Sequence, residues 1–200
     1  YRDRRQRQMC IRDREELISI GINNDLPQGP KILIVPGTGL GLSILNNKKC
    51  IATEAGHLHI PNLSQNINRI LDYFEKEKER KATFEDLLSG KGISYIYSVL
   101  SQNIHHTYSN EDILNNLKND KFCSETKNHL VEIYAHFAKY GTLITGSTGG
   151  VYLSGSLSEG LLKNDDFSRF KYIFEESAKM NKYLSNIPIS VSYTHLRAHE

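Results

Sequence analysis

The sequence predicts an α/β fold. Short apolar runs rich in β-branched residues at 31–35, 42–45 and 50–53 lie close together, bounded by glycine and asparagine. From residue 65 onward, stretches with apolar residues at helical spacing take over. A strand signal then returns in Val151-Tyr152-Leu153, after the longest helical stretch, so strand and helix signals alternate.

The first run, Lys31-Ile32-Leu33-Ile34-Val35, suits a strand buried on both faces and empties into Pro36-Gly37-Thr38-Gly39-Leu40-Gly41. Gly37, Gly39 and Gly41 let the backbone turn tightly and bring N–H groups close to an anion. A Walker loop is excluded because no Lys-Ser or Lys-Thr follows, and the glycine spacing is wrong for a dinucleotide loop. Either loop would open a helix, but Leu42-Ser43-Ile44-Leu45 runs only as far as the turn signal Asn46-Asn47. The loop is therefore read as a hairpin tip with the Thr38 hydroxyl beside backbone donors; a phosphate site and an ordinary glycine turn both fit it.

Region 65–79 carries Ile67, Ile70, Leu71 and Phe74 on one helical face, with a Glu/Lys-rich face opposite. Thr83-Phe84-Glu85-Asp86 and Ser109-Asn110-Glu111-Asp112 each place a hydroxyl three residues before an acid, the pattern of a helix start. The first of these helices is short and stops by Gly90. An apolar helix follows at 94–100, and a long buried one at 124–143 through Leu130, Ile133, Phe137 and Tyr140. Gly149-Gly150-Val151-Tyr152-Leu153-Ser154-Gly155 repeats the plan of glycines around a short strand; 170–174 suggests a helix and 187–189 a final strand.

The two ends read differently from the middle. Asp13-Arg12-Ile11-Cys10-Met9 can be back-translated so that its reverse complement spells Val-Ser-Tyr-Thr-His, which is Val191 to His195. Segments 1–14 and 191–200 thus resemble facing, translated DNA-library adapters, leaving 15–190 as the native domain. Six Arg against Asp3 and Asp13 leave with the first segment, which turns the formal net charge of +2 negative. A basic arm for nucleic acid is thereby set aside. The remainder is about one domain of chain, and 38% hydrophobic content is enough for a core. No apolar run approaches the roughly 20 residues of a membrane span. Cys50 and Cys123 are isolated, which gives no disulfide or zinc framework and suits a reducing cytoplasm.

Three polar groups could converge. Glu54-Ala55-Gly56-His57 puts a carboxylate and an imidazole at a strand end near the glycine loop, where they could bracket a hydroxylated ligand; an exposed Glu beside a structural His also fits. Glu85 sits in a helix first turn, where acids are common. His59, His105, His106, His129 and His136 lack metal-ligand spacing and read as solvated or core residues, so no metal site is expected.

In order and spacing, Pro36-Gly37-Thr38-Gly39-Leu40-Gly41, Glu54-Ala55-Gly56-His57, Glu85-Asp86-Leu87-Leu88-Ser89-Gly90 and Gly149-Gly150-Val151-Tyr152-Leu153-Ser154-Gly155 resemble the bacterial glucokinase family. The resemblance implies the actin-like, ribonuclease H-like ATPase fold, of which this chain would be the larger domain only. It implies glucose binding by Glu54, His57 and Glu85, and ATP binding by Gly37, Thr38, Gly39, Gly41, Gly149 and Gly150. It further implies ATP with Mg2+, transfer of the γ-phosphoryl to the sugar 6-hydroxyl, a cytoplasmic setting and a homodimeric parent with neither nucleic-acid nor membrane partner. Ala55 and Ser156 stand where the family has glycine, and Val35-Pro36 replaces a glycine-containing approach to the loop. The family's first phosphate loop and its catalytic Asp would precede Glu15, and a closing helix would follow Ser190, so the fragment itself is expected to be inactive. A non-catalytic sugar-binding or regulatory module stays open, as does another hexose kinase of the superfamily. The latter usually carries a Cys-rich zinc motif, where this chain has Leu58-His59-Ile60-Pro61-Asn62.

Overall fold

Three apolar runs separated by tight turns form an antiparallel meander: β1 (Lys31–Pro36), β2 (Leu40–Asn46) and β3 (Lys49–Thr53). Two later strands, β4 (Gly150–Leu153) and β5 (Ile189–Val191), join parallel to β1 and complete a sheet of order β3-β2-β1-β4-β5. The computed structural model describes residues 28–47, 49–102, 108–115, 119–163 and 165–192. His105, His106 and almost all of segments 1–14 and 191–200 lie outside them.

Alternation along β1 divides the sheet's two faces. Ile32 and Ile34 point into the main core with Leu40 and Leu42, whereas Leu33 packs with Leu45 and Tyr152 on the other side. The main core is closed by helices α1 (Gln65–Lys78), α2 (Phe84–Leu87), α3 (Gly90–Leu100), α4 (Asn110–Asn115), α5 (Lys121–Thr145), α6 (Ser156–Leu161), α7 (Asp165–Glu175) and α8 (Asn181–Leu184). The axis of this layer is α5, which extends beyond the expected 124–143 at both ends. The Asp120 carboxylate accepts the Phe122 amide at 2.7 Å to start it, and left-handed Gly146 closes it. Phe137 of α5 meets Phe84 at 5.0 Å between ring centroids, and Tyr134 meets Phe170 of α7 at 5.3 Å.

Several polar groups taken into this core are paired, whereas the buried Thr126 and Thr142 hydroxyls on α5 find no partner among the described residues. The Tyr134 and Ser158 hydroxyls are 2.8 Å apart, and Ser158 donates to the Ser154 carbonyl at 2.7 Å. Lys127 reaches Asp166 at 2.6 Å and ties α5 to α7.

Both expected helix starts are present. Thr83 and Asp86 form a reciprocal capping box, and Asp112 accepts both the Ser109 amide and its hydroxyl. Gly90 opens α3 rather than ending a loop, because the Ser89 hydroxyl caps it by accepting the Gly92 amide at 3.4 Å. The last strand sits two residues later than the expected 187–189, since Ile187 still closes the turn after α8 by donating to Leu184. It runs one residue into segment 191–200, and the Ser192 amide donates to the Leu153 carbonyl at 2.8 Å.

Candidate functional site

The glycine loop is a three-residue hairpin tip: Pro36 pairs with Leu40, leaving Gly37-Thr38-Gly39 to make the turn. The Gly37 amide donates to the Gly39 carbonyl at 2.8 Å inside the tip, and Thr38 is exposed. Gly41 lies just past it in β2, paired with Val35. The tip is anchored from the helical layer, where the Gly90 amide at the start of α3 donates to the Gly37 carbonyl at 2.9 Å.

The peptide of Leu40 gathers the three acid and imidazole positions. Its amide donates to Glu85 Oε2 at 3.0 Å, so the carboxylate on α2 reaches the residue directly after the tip. Its carbonyl is met by the short helical turn Ala55–His57: a Cβ on Gly56 would lie 2.5 Å from the Leu40 oxygen, so only glycine allows this approach. Glu54 and His57 flank the turn, with Glu54 Oε2 3.6 Å from His57 Nε2 and both side chains more than half exposed.

The chain between the two groups holds them in register. Ile60 and Ala82 exchange an amide-to-carbonyl bond of 3.0 Å, as do Phe84 and Leu58, and His59 bridges Thr83. Segment 58–60 therefore pairs with segment 82–84, bringing Glu54-Ala55-Gly56-His57 beside the helix that carries Glu85. Chemically the group offers two carboxylate acceptors, an imidazole and a hydroxyl at one exposed rim, a set suited to a ligand with several hydroxyls. Two loop amides, those of Gly37 and Leu40, are committed to protein acceptors.

Gly149 and Gly150, expected on the adenosine side, are not brought to this group. Gly150 pairs with Lys31, at the opposite end of β1 from the tip, about 20 Å away at strand rise. Both glycines are buried, with Gly149 against the Gly29 and Pro30 carbonyls and Gly150 against Pro188. At the tip's end of the sheet β4 closes with Leu153, and Ser154 and Gly155 follow it. Gly155 turns there with φ +92°, facing Val35 and the Pro36 carbonyl. This is the carboxyl end of two parallel strands, where open α/β sheets place ligands.

The other described histidines stay outside the group. His59 is exposed; His129 and His136 lie on α5, where burial lowers the pKa of each. Among the described residues no cluster of three or more His, Cys, Asp or Glu could hold a metal ion, neither Cys50 nor Cys123 is in a disulfide, and no helix is long and apolar enough to cross a membrane.

A family model described as Glucokinase matches residues 8–198, reaching into both terminal segments. The glucokinase of Neisseria gonorrhoeae is 28% identical over 188 residues, covering 88% of this chain and 56% of the relative. This chain thus spans about half the length of the curated relatives it matches. Among solved structures, a glucokinase from an Antarctic psychrotroph superposes with a TM-score of 0.70 at 22% identity, covering 83% of this chain and 54% of that one. A glucokinase from Balamuthia mandrillaris in complex with glucose gives 0.71 at 19% identity, covering 80% and 49%. The fold is the actin-like ATPase fold.

Proposed function

The chain belongs to the glucokinase family, and from that premise we propose that it is part of an ATP-dependent glucokinase that transfers the γ-phosphoryl group of ATP to the 6-hydroxyl of glucose. The observation that supports the reading most is the meeting of Glu54, His57 and Glu85 around the Leu40 peptide, one residue beyond Gly37-Thr38-Gly39. A sugar displays hydroxyls in fixed directions, so carboxylates at two positions accept from some of them and the imidazole fixes another. A kinase needs sugar and phosphate side by side, and the shared peptide supplies that adjacency.

In this reading Thr38 and the amides of 38 and 39 face the ATP phosphates, and Gly155 lines the phosphate end of the nucleotide side, with Gly149 and Gly150 at the far end of the same strand. ATP brings Mg2+ as its phosphate complex, with no protein ligand assigned among the described residues. Glu54, His57 and Glu85 bind hydroxyls, and the general base that takes the 6-hydroxyl proton is an Asp supplied by the intact protein outside this chain. The chain is then most of the larger of two domains, with 15–190 native and 1–14 and 191–200 adapter-derived. Genomic codons at either end would overturn that assignment. The intact protein is read as a cytoplasmic homodimer.

The test is recovery of the full reading frame and assay of glucose-dependent ADP release. Turnover by the full protein, none by this chain, and a raised KM for glucose in the full-length Glu85→Gln variant are expected. Glucose binding by the full protein without ADP release would overturn the kinase reading in favour of a sugar-binding module.

A further inference from the structure

We infer that Arg80 is a positioning residue for the sugar site, holding the Glu85 carboxylate in place by gripping the neighbouring Asp86. The inference rests on the reading of Glu85 as a sugar ligand and deepens it.

Helix α2 is a single turn of four residues, too short to be stable by itself. Its inner face is fixed by Phe84 and Leu87, both buried in the core. Its outer face is fixed by Asp86. Arg80 Nη1 and Nη2 donate to the two Asp86 oxygens at 2.7 Å each, a two-pronged grip that sets direction as well as distance. Asp86 Oδ2 also accepts the Thr83 amide at 2.8 Å and the Thr83 hydroxyl at 2.7 Å. The guanidinium is itself held: its carbon lies 5.1 Å from the ring centre of Phe74 on α1, and Nη1 donates to the Lys81 carbonyl at 3.1 Å.

Adjacent residues on a helix point about 100° apart, so Asp86 faces Arg80 while Glu85 faces the hairpin. The turn can no longer roll, and Glu85 keeps its 3.0 Å bond from the Leu40 amide. The strength of the grip shows in the Asp86 carboxyl. Burial pushes its pKa up, yet Arg80 and Thr83 outweigh burial and hold it at about 2. Arg80 touches neither sugar nor phosphate in this account; it acts through Asp86.

The test uses the whole 200-residue chain, with amide hydrogen exchange read residue by residue and glucose affinity read by NMR titration. Arg80→Ala is expected to speed exchange of the Leu40 amide roughly tenfold and to weaken glucose binding roughly tenfold, with Leu42 and Val151 exchanging as before. Arg80→Lys keeps the charge but loses the fork, so it recovers only part of both effects. Unchanged Leu40 exchange in Arg80→Ala, or acceleration spread evenly over all amides, would overturn the inference. If the unaltered chain binds no glucose, the sugar reading fails, and Leu40 exchange still decides the role of Arg80.

Discussion

Replacing Gly56 with alanine tests the junction on which the site is built. The added methyl would lie 2.5 Å from the Leu40 carbonyl oxygen and 3.2 Å from the Leu40 Cβ. Gly56 does not have a positive φ, so backbone strain does not enter and the cost is steric. The oxygen belongs to a hairpin whose amide is held by Glu85 and whose tip is held by Gly90, so the turn Ala55–His57 must move instead. Relief requires a shift of roughly half an ångström or more, and overpacking of this kind costs about 1–3 kcal/mol. For a domain of this size that lowers Tm by about 3–10 °C. The shift also carries Glu54 and His57 away from Glu85, so glucose affinity falls by about tenfold or more, beyond any loss of folded protein. Differential scanning calorimetry and an NMR glucose titration at a temperature where the variant is folded separate the two effects. An unchanged Tm together with unchanged affinity would refute the argued contact.

Other consequences are as direct. Phe84→Ala empties a fully buried site against Phe137 and is expected to lower stability by about 3–5 kcal/mol, read from the urea midpoint. Burial lowers the His129 pKa, so the unfolded chain binds more protons below the ordinary value of about 6.5. Stability from this group is complete above that pH and lost as pH falls below it; His129→Phe flattens the slope between about pH 7.5 and 5 in urea titrations. Asp86 behaves as a carboxyl with a lowered pKa, its contribution present above about pH 4 and lost as pH falls toward about 2. Arg80→Ala should diminish that acid limb.

Much of this arrangement is legible in the residues because local physics decides it. Alternation and turn chemistry place the hairpin tip at Gly37-Thr38-Gly39, and hydroxyl-to-acid spacing places two helix starts, at Thr83 and Ser109. The expected 124–143 falls short of α5 at both ends, where Asp120 and Gly146 cap the helix. Helices α6 and α8 escape such reading because six and four residues are too few to show a period. The glycines around β4 are ambiguous for a different reason. Both ends of that strand carry glycine, and only the parallel direction of β4 on β1 decides which end meets the tip. The Leu40 peptide and the grip of Arg80 on Asp86 are hidden for a third reason: main-chain groups have no sequence signature, and a six-residue separation across a turn predicts no contact by itself.

The central claim is that Glu54, His57 and Glu85 form one sugar-binding rim beside the glycine tip. Mapping NMR shifts of the chain during titration with glucose tests it most directly. Saturable shifts are expected at Glu54, His57, Glu85 and the Leu40 amide, all with one apparent Kd, and lost in Glu85→Gln. Saturable shifts confined to residues away from this rim, or none at millimolar glucose, would contradict it.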